Sequence, residues 1–418
     1  MQNNTSKATK QKALKAIIIG GGIGGLTCAS AFLDAGMQVE LYEKRDLDSM
    51  LSGPGGIFIQ RNAMRVYELL WEGRIQEQLY QQGAKILKGG FFSKQAKPLY
   101  INAPEFVKAE DLGICILRPE LQNILYNALP EGTVRNKAAF TDFVETAEGI
   151  RVSFADGREA WGDVLIGADG LYSKVRARLN GKEQMEPPIY SGMCCWRGRF
   201  YKENLLLDER YSWGEFWGRG NRFGYFDVGG GRFGFYAFSQ AEAGGNDEAM
   251  GGSKKALQAL FSSYAQPVPA IIEALPEGSI YRDDIFDREP PGMQWGRGRV
   301  TLIGDAIHPV QPNLGQGGCM AIEDAFELVK MLIIGEEKGD DIPAVLRQFE
   351  ASRSKRVEKV FTTARQVGNL GQTDSDLGCF LRDLIYWLMP TWLGDLQFKW
   401  LFDYEPKKLP APQLWGEL

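Results

Sequence analysis

The chain has 418 residues, 44% hydrophobic and 24% charged, which predicts a folded protein of two or three domains and excludes disorder throughout. Because 48 Lys and Arg are set against 53 Asp and Glu, the net charge is −5, which argues against a nucleic-acid partner. The single histidine, His308, excludes zinc sites built on several histidines and the two-histidine iron site, so no metal site is predicted.

The beginning of the chain predicts a disordered lead-in over residues 1–14, which are polar and rich in lysine and lack the apolar core of a targeting segment. No run of about 20 apolar residues follows, so no membrane-spanning helix is expected. The six cysteines form no CxxC pair, which is typical of free thiols in a reducing compartment. We therefore expect a cytoplasmic protein.

A strand, a glycine-rich turn, a helix and a second strand come first. Residues 15–20 (KAIIIG) have the pattern of a buried strand, residues 24–36 that of a helix ending at Gly36, and residues 37–42 that of a second strand. This succession within about 30 residues predicts a dinucleotide-binding, Rossmann-like fold.

Further elements of both kinds are predicted up to about residue 180. They are a helix that Asn62 could cap, a helix over 118–128, strands over 138–155 with a turn at Asp156-Gly157, a strand within 161–170 and a helix over 173–179.

From about residue 190 to 290 the chain is rich in aromatic residues and glycine. Short strands with regular turn signals predict an antiparallel sheet here, followed by a helix over 253–275. The aromatic side chains could line an apolar pocket or form the ordinary packed face of a sheet, and a mixture of the two is favoured. They are Trp196, Trp213, Phe216, Trp217, Phe223, Tyr225, Phe233, Phe235 and Tyr236.

The chain then returns to the first pattern, with a buried strand over 299–304 and a helix over 319–334. An amphipathic helix over 343–366 and an aromatic helical segment over 379–403, interrupted at Pro390, complete it.

This order predicts an α/β protein with a discontinuous Rossmann-like domain, an inserted and mostly antiparallel sheet that binds substrate, and a helical C-terminus. The nucleotide domain is expected over 15–185 and 295–365, with some strands of the sheet interleaved. The sheet domain is expected over 186–294 and the C-terminal helices over 366–418.

The first motif, Gly20-x-Gly22-x-x-Gly25, predicts binding of a dinucleotide. Gly20 permits a tight turn, Gly22 lets a pyrophosphate approach the backbone, and Gly25 allows close packing of the helix. Glu43 ends the second strand and can accept hydrogen bonds from a ribose, which favours FAD or NAD over NADP. The alternative is that Glu43 is a surface charge, and Lys44 lies near the adenosine or is merely solvated.

Two further motifs place a carboxylate after a buried strand. Asp169, before Gly170, is by itself more typical of a helix-capping turn. Asp305 can bind a polyol, and the glycine-rich segment 313–318 opens a helix whose amides can stabilise a developing anion such as a reduced flavin. His308 beside it is interpreted as structural, with acid-base catalysis as the less favoured alternative.

These motifs carry a resemblance to a known family. The segments GGGIGG, DGLYSKVR and GRVTLIGDAIHPVQPNLGQGGCMAIEDA, in this order and spacing, resemble the class A flavoprotein monooxygenases of the para-hydroxybenzoate hydroxylase fold. The stretch from RDDIFDREPP onwards is particularly similar to zeaxanthin epoxidase and somewhat similar to salicylate and urate hydroxylases. The resemblance covers roughly residues 15–360.

The resemblance implies roles for individual residues in binding FAD. The positions concerned are Gly20, Gly22, Gly24 and Glu43 at the diphosphate and ribose, Asp305 at the ribityl chain, Gly315, Gln316, Gly317, Gly318 and Cys319 beneath the isoalloxazine, and Arg118 near the flavin. Asp169 matches the motif that the family shares between FAD and the transient contact with NAD(P)H. Arg222 lies where some members place an arginine that faces substrate or flavin. Surface exposure of Arg222 is the favoured alternative.

The function implied is that of a monooxygenase that uses FAD, NAD(P)H and O2. It would transfer one oxygen atom, through a flavin C4a-hydroperoxide, to an apolar aromatic or alkene small molecule by hydroxylation or epoxidation. No second GxGxxG lies between a predicted strand and a predicted helix, as expected if the nicotinamide coenzyme binds transiently. The alternatives are a halogenase, although its W-x-W-x-I-P motif is missing, a prenyl-chain reductase, or a non-enzymatic FAD-binding redox module.

The C-terminal aromatic segment allows a weak contact with a membrane surface. Packing of its apolar residues on the core is the favoured interpretation. The residues concerned are Leu381, Ile385, Trp387, Leu388, Trp392, Leu393 and Trp400. The sequence does not predict an oligomeric state.

Overall fold

A computed structural model describes residues 13–409 except 103–111, 185, 204 and 277. The predicted disordered lead-in therefore lies, apart from its last two residues, outside the described ranges. The strands, in chain order, are β1 (Lys15–Ile19), β2 (Gln38–Tyr42), β3 (Gly56–Ile59), β4 (Ala84–Lys85), β5 (Gly89–Ser93), β6 (Pro98–Asn102), β7 (Ile114–Leu117), β8 (Val134–Arg135), β9 (Phe140–Thr146), β10 (Gly149–Phe154), β11 (Glu159–Gly162), β12 (Val164–Gly167), β13 (Ile189–Tyr201), β14 (Trp213–Trp217), β15 (Asn221–Gly229), β16 (Arg232–Gln240), β17 (Tyr281–Asp287) and β18 (Val300–Leu302).

The helices surround the sheets and dominate the last third of the chain. In chain order they are α1 (Ile23–Asp34), α2 (Leu47–Met50), α3 (Arg61–Leu69), α4 (Arg74–Gln82), α5 (Arg118–Asn127), α6 (Lys174–Leu179), α7 (Ser253–Leu260), α8 (Val268–Ala274), α9 (Gly317–Lys338), α10 (Ile342–Gly371), α11 (Asp376–Leu388) and α12 (Thr391–Phe402).

A five-stranded parallel sheet has the order β18-β12-β1-β2-β8. Its three neighbouring strands β18, β12 and β1 are short apolar runs that are almost completely buried, as expected of strands covered on both faces. Because these strands run the same way, the chain leaves all of them at one edge of the sheet. The glycine motif, Asp169 and Asp305 follow at that edge.

A seven-stranded sheet, order β17-β13-β16-β15-β14-β5-β6, is antiparallel except where β14 runs parallel to β5. The expectation of an α/β fold with a mostly antiparallel inserted sheet is thus confirmed. Strands β5 and β6 of this sheet come from the part of the chain before residue 185. Strand β13 spans 13 residues, so the strands of this region are not all short.

The aromatic residues of this sheet divide between its two faces because successive side chains of a strand point in opposite directions. One face packs in a hydrophobic core formed with α7 and α8, and the other faces β3 and β7. Trp196, Phe216, Phe223, Tyr225, Phe233 and Phe235 belong to that core, whereas Trp213 and Tyr236 pack with the opposite cluster around Phe226. Trp217 is buried against Phe91 and Tyr386. Both faces of the sheet thus carry packed aromatic rings, and a pocket-lining role for some of them stays a prediction.

Two helix predictions need correction. The predicted helix over 253–275 is two helices, α7 and α8, because Pro267 and Pro269 lack the N–H groups that a continuous helix requires. Asn62 does not cap α3, whose N-cap is Gln60. Asn62 is instead buried in the first turn of α3, where its amide is used in long-range hydrogen bonds.

The C-terminal helices α11 and α12 break at Pro390, as predicted, but their apolar residues do not all pack on the core. Six of the seven predicted residues are exposed, with Trp387 at 67% and Trp392 at 62%, and only Trp400 is packed against the main core. The favoured interpretation is therefore wrong for most of this segment. Within the described ranges no helix combines the length and apolar character needed to cross a membrane.

The end of α12 is tied to the body of the protein, in contrast to its exposed beginning. Leu401 is buried, Arg356 donates a 2.9 Å hydrogen bond to its carbonyl oxygen, and the Tyr404 hydroxyl donates to Glu327 at 2.7 Å. Removal of the whole C-terminal segment would therefore disturb the core as well as the exposed face.

Candidate functional site

The three predicted motifs meet at the carboxyl edge of the parallel sheet. A Cβ atom added to Gly20 would lie 2.4 Å from the Ala168 carbonyl oxygen, so the glycine turn sits directly on the turn that carries Asp169. Ala321 of α9 would lie 3.1 Å from a Cβ on Gly24 and 2.8 Å from one on Gly304. Glycine at both positions allows this approach and brings the first and third motifs together.

The glycine motif forms a tight turn with open space in front of helix α1. Gly20 has a φ of +110°, and a Cβ on Gly25 would lie 1.9 Å from the Gly20 carbonyl oxygen, so both positions require glycine. A Cβ on Gly22 would meet no atom within 4 Å. The first amides of α1 have no acceptors within the helix, and they offer a positive dipole end to an anion in that space.

Glu43 is only 4% exposed, so it is not a surface charge. Its carboxylate accepts hydrogen bonds from the Gly21 N–H at 2.7 Å and from the Arg45 N–H and Nε, both at 2.9 Å. Burial alone would raise the pKa of Glu43, but these donors hold that pKa below its usual value. Glu43 is thus ionised beside the glycine turn, whereas the side chain of Lys44 is exposed.

Asp169 is engaged within its own turn. Its carboxylate accepts hydrogen bonds from Ser173 Oγ at 2.5 Å and from the backbone N–H groups of Lys174 at 2.7 Å and Val175 at 3.2 Å. Burial raises the pKa of Asp169 despite these donors. The carboxylate thus stabilises the start of α6, as in the helix-capping interpretation.

Asp305 and Arg118 lie close enough for the charge of each to shift the pKa of the other, and we call the open space beside their exposed side chains the cleft. Neither side chain makes a hydrogen bond or ion pair with the residues that the structure describes, although protein atoms lie densely around both. Burial raises the pKa of the Asp305 carboxyl, and the charges of His308 and Arg118 oppose this. Burial and the charge of Arg197 lower the pKa of Arg118, whereas Asp305 raises it. Unpartnered groups of this kind are what a polar ligand would satisfy.

The segment Gly315–Cys319 turns its backbone, not its longer side chains, toward this cleft. Gln316 is buried and accepts a 2.9 Å hydrogen bond from Asn62, and Cys319 Sγ accepts the Gln60 N–H at 3.4 Å. Gly315 has a φ of +62°, and a Cβ on Gly317 would lie 4.0 Å from Asp305 Oδ1. The amides at the start of α9 and the Asp305 carboxylate therefore border the same space.

His308 is part of a buried ionic cluster below the cleft. It is 2% exposed, and its Nε2 lies 2.5 Å from Asp324 Oδ2. Asp324 also accepts the Gly304 N–H at 3.0 Å and Arg353 Nε at 2.8 Å. Burial alone would raise the pKa of Asp324, but the charges of His308 and Arg353 lower it to about 2. This geometry favours the structural interpretation of His308.

Arg222 is 2% exposed, which excludes the alternative of a surface residue. It pairs with Glu215 at 3.1 Å and donates to Asn313 Oδ1, two residues before Gly315. Asn313 begins the predicted glycine-rich segment, whereas Glu215 is not among the predicted site residues. The available signal for Glu215 was a carboxylate inside an aromatic strand, WGEFW.

Aromatic rings line the space between the seven-stranded sheet and the glycine-rich segment. Phe58 stacks near Phe226 with ring centroids 4.6 Å apart, and Tyr236 lies between Phe226 and Phe238 at 6.1 and 5.6 Å. Phe58 also lies against Gly315, with its Cβ 3.5 Å from a Cβ added there. The glycine-rich segment therefore borders the polar residue Asp305 at Gly317 and, at Gly315, an aromatic wall formed by Phe58, Phe226 and Tyr236.

Comparison with known proteins gives consistent matches. A family model described as FAD binding domain matches residues 13–193 and 291–364. Aurachin C monooxygenase/isomerase of Stigmatella aurantiaca is 35% identical over 380 residues, which cover 90% of this chain and 94% of that protein. The chloroplastic zeaxanthin epoxidase of Nicotiana plumbaginifolia is 36% identical over 385 residues, or 88% of this chain and 56% of that protein. The chain thus spans about half the length of the zeaxanthin epoxidases that it matches.

Solved structures share the fold. Klebsiella pneumoniae HpxO, complexed with FAD and uric acid, superposes with a TM-score of 0.81 at 27% identity, over 94% of this chain and 96% of that one. A salicylate hydroxylase substrate complex superposes with a TM-score of 0.74 at 22% identity, over 94% and 96% of the two chains.

Proposed function

The chain belongs to the FAD-dependent monooxygenase family, and from this premise we propose that it uses NAD(P)H and O2 to transfer one oxygen atom to an apolar aromatic or alkene molecule. The observation that carries the proposal is the cleft of unpartnered Asp305 and Arg118, whose bordering glycine-rich segment also meets an aromatic wall at Gly315. Polar groups there suit the cofactor, and the aromatic rings suit an apolar substrate.

The residues present fit FAD. We propose that the open space at Gly22 takes the diphosphate, Glu43 the adenosine ribose and Asp305 the ribityl chain. Arg118 and the amides of Gly315–Cys319 then lie at the ring. Bound FAD supplies the redox chemistry, namely oxidation of the nicotinamide coenzyme and activation of O2. The chain orients the reactants, excludes water with its aromatic wall, and stabilises negative charge through the start of α9.

The division of labour along the chain is part of this proposal. We assign cofactor binding to residues 15–185 and 295–365 and substrate binding to the sheet of 186–294. Participation of β5 and β6 in the seven-stranded sheet supports the interleaving of the two.

The test is oxygen transfer by the purified yellow protein. NADH and NADPH oxidation, O2 uptake and H2O2 release are measured with a panel of aromatic and polyene compounds, and ¹⁸O2 incorporation into product is followed by mass spectrometry. Substrate-stimulated coenzyme oxidation with label in the product supports the proposal. An FAD-loaded protein whose flavin is reduced by neither coenzyme would instead favour a redox module, and reduction without label transfer would favour a reductase.

Gly22→Ala should separate folding from cofactor binding. The backbone there has a φ of −76°, which alanine adopts freely, and the added methyl meets no protein atom within 4 Å. The stability of the FAD-free protein should therefore change by less than about 0.5 kcal/mol, whereas FAD affinity falls because the methyl fills the diphosphate space. Thermal melting and FAD titration measure the two effects.

The matched comparison is Gly25→Ala, whose methyl would lie 1.9 Å from the Gly20 carbonyl oxygen. That variant should lose stability as well as FAD. Equal destabilisation of the FAD-free protein by both substitutions would contradict the assignment of Gly22 to the diphosphate.

Glu43→Ala should weaken FAD binding by about 1–3 kcal/mol, the value of one or two charge-assisted hydrogen bonds. The substitution also frees the Gly21 N–H and Arg45, both of which Glu43 holds in place. Titration of FAD into the FAD-free variant measures the loss, with Lys44→Ala as a neighbouring exposed control. Unchanged affinity would remove Glu43 from the ribose site.

We also propose that the outer face of α11 and the first part of α12 contacts a membrane surface. Its exposed residues include two tryptophans, whose amphipathic rings favour the membrane interface. The segment is held against the seven-stranded sheet because Tyr386 of α11 packs on Trp217 of β14 with ring centroids 4.7 Å apart. The exposed set is Leu377, Phe380, Leu381, Leu384, Ile385, Trp387, Leu388, Trp392, Leu393 and Leu396.

Co-sedimentation with phosphatidylcholine–phosphatidylglycerol vesicles tests this contact. Trp387→Ser with Trp392→Ser should lower the bound fraction several-fold, because interfacial binding scales with buried apolar area. Trp161→Ser, at a tryptophan that is 50% exposed on β11, is the control. A bound fraction that does not respond, or a dimer in light scattering that the double variant dissociates, would contradict the membrane assignment.

A further inference from the structure

A single carboxylate interrupts the aromatic wall. Glu215 lies in the middle of β14, opposite Gly224 of β15, and is 6% exposed. An ionised carboxylate in such surroundings is costly to bury unless donors satisfy it. The hydrogen-bond donors around Glu215 therefore indicate its role.

Donors from three adjacent strands converge on Glu215. Its Oε1 accepts the indole N–H of Trp217 at 2.7 Å and Arg222 Nη1 at 3.1 Å, and its Oε2 accepts the Tyr236 hydroxyl at 2.5 Å. Both oxygens are used, so the positions of the indole, the guanidinium and the phenol all depend on this one group.

Arg222 connects the sheet to the glycine-rich segment. Its guanidinium lies 4.3 Å from the centroid of the Phe238 ring, and its Nη2 donates to Asn313 Oδ1. Asn313 in turn donates to Gln311 Oε1 at 3.0 Å and to the Ala364 carbonyl oxygen of α10 at 2.9 Å. Arg222 therefore holds the side-chain oxygen of Asn313, while Gln311 and Ala364 hold its amide nitrogen, and together these contacts fix the approach to Gly315.

We propose that Glu215 is a positioning residue, which holds Arg222 against Asn313 and Tyr236 in the aromatic wall and so sets the width of the space between the sheet and Gly315–Cys319. The proposal rests on the proposed function, because that space is the one assigned to substrate and flavin ring. On this view Arg222 acts through Asn313, which accounts for its complete burial.

For the reaction, the consequence is that Glu215 controls how much of the NAD(P)H oxidation is coupled to oxygen transfer. When the two walls are held at a fixed distance, a bound substrate excludes water and receives the oxygen atom. When Glu215 no longer holds Arg222, segment 311–319 gains freedom, and more of the electrons taken from NAD(P)H reduce O2 to H2O2 instead of supporting oxygen transfer to the substrate.

The experiment compares Glu215→Gln with Glu209→Gln, which removes a carboxylate from an exposed pair with Lys202. Hydrogen exchange of peptides covering 311–319 is measured with and without FAD, together with FAD content and the ratio of H2O2 to NAD(P)H consumed. We expect exchange at 311–319 and H2O2 yield to rise several-fold in Glu215→Gln, with FAD content maintained and no change in Glu209→Gln.

Two further variants keep the outcome decisive. Glu215→Gln with Arg222→Gln removes both charges and leaves no unpaired ion, so it should fold even if the single variant does not, and it should show the same faster exchange. Asn313→Ala should accelerate exchange in 311–319 while leaving Glu215 and its strands unaltered. Wild-type exchange at 311–319 in a folded variant of this set would overturn the proposal.

Hydrogen exchange in the FAD-free protein tests the Glu215–Arg222–Asn313 connection without requiring the enzyme to react. A wild-type protein that oxidises no NAD(P)H would refute the proposed function, whereas unchanged exchange in the variants would refute the positioning role of Glu215. The two failures are thus distinguishable.

Discussion

Asp305→Ala should yield a folded protein that no longer retains FAD. We assign Asp305 to the ribityl chain, and each charge-assisted hydrogen bond that its carboxylate would accept from a ribityl hydroxyl is worth about 1.5–3 kcal/mol, so the loss should abolish stable binding. The FAD-free variant should melt at the same or a slightly higher temperature than the FAD-free wild type. The reason is that burial raises the pKa of Asp305 in the fold, so its ionised form at neutral pH opposes folding.

The ratio of flavin to protein absorbance and an FAD titration measure the first effect, and melting of the FAD-free proteins measures the second. Asp305→Asn is the isosteric control, which keeps one acceptor and should recover part of the affinity. A fully loaded, active Asp305→Ala protein would contradict the placement of the cofactor.

Asp324→Ala should be the most destabilising of these substitutions. It would leave His308 and Arg353 without their buried counter-charge and the Gly304 N–H without an acceptor. Breaking a buried pair in this way costs about 3–5 kcal/mol. Urea unfolding of the FAD-free protein measures the loss, and Asp324→Asn, which keeps the size and one acceptor, should lose less.

The Asp324 carboxylate should also contribute to the dependence of the unfolding free energy on pH in the acid range. The pKa of Asp324 is about 2 in the folded protein against a usual value of 3.8, so ionised Asp324 stabilises the fold above about pH 4, and this stabilisation disappears as the pH falls toward 2. The difference corresponds to about 2–3 kcal/mol. Unfolding free energies between pH 5 and 2 should fall less steeply in Asp324→Asn, and parallel curves would contradict the pairing.

Local chemistry was readable in the sequence. Gly20, Gly25 and the strand ends at Asp169 and Asp305 follow from rules that act within a few residues, since a turn, a close helix contact or a strand end constrains its own residue types. The turns and strand ends that these local rules predict therefore lie where the structure has them.

Long-range partners were not readable in the same way. Gln316 and Cys319 lie in the predicted segment, but their side chains bind Asn62 and the Gln60 backbone, more than 250 residues away in sequence. The ionic connection from Glu215 to Asn313 likewise depends on how the sheet docks on the glycine-rich segment. The exposure of Trp387 reverses an expectation that hydrophobicity alone supported.

The contact of Gly24 with Ala321 has a consequence for biosynthesis. Nearly 300 residues separate the two positions, so a ribosome must release almost the whole polypeptide before the nucleotide pocket can close. A nascent N-terminal portion leaves the apolar surface of α1 uncovered until α9 arrives and one edge of β12 unpaired until β18 arrives, and slow, non-local docking of this kind is vulnerable to aggregation. Coenzyme added during late translation or refolding should therefore raise the yield of native protein, since it binds only the completed form.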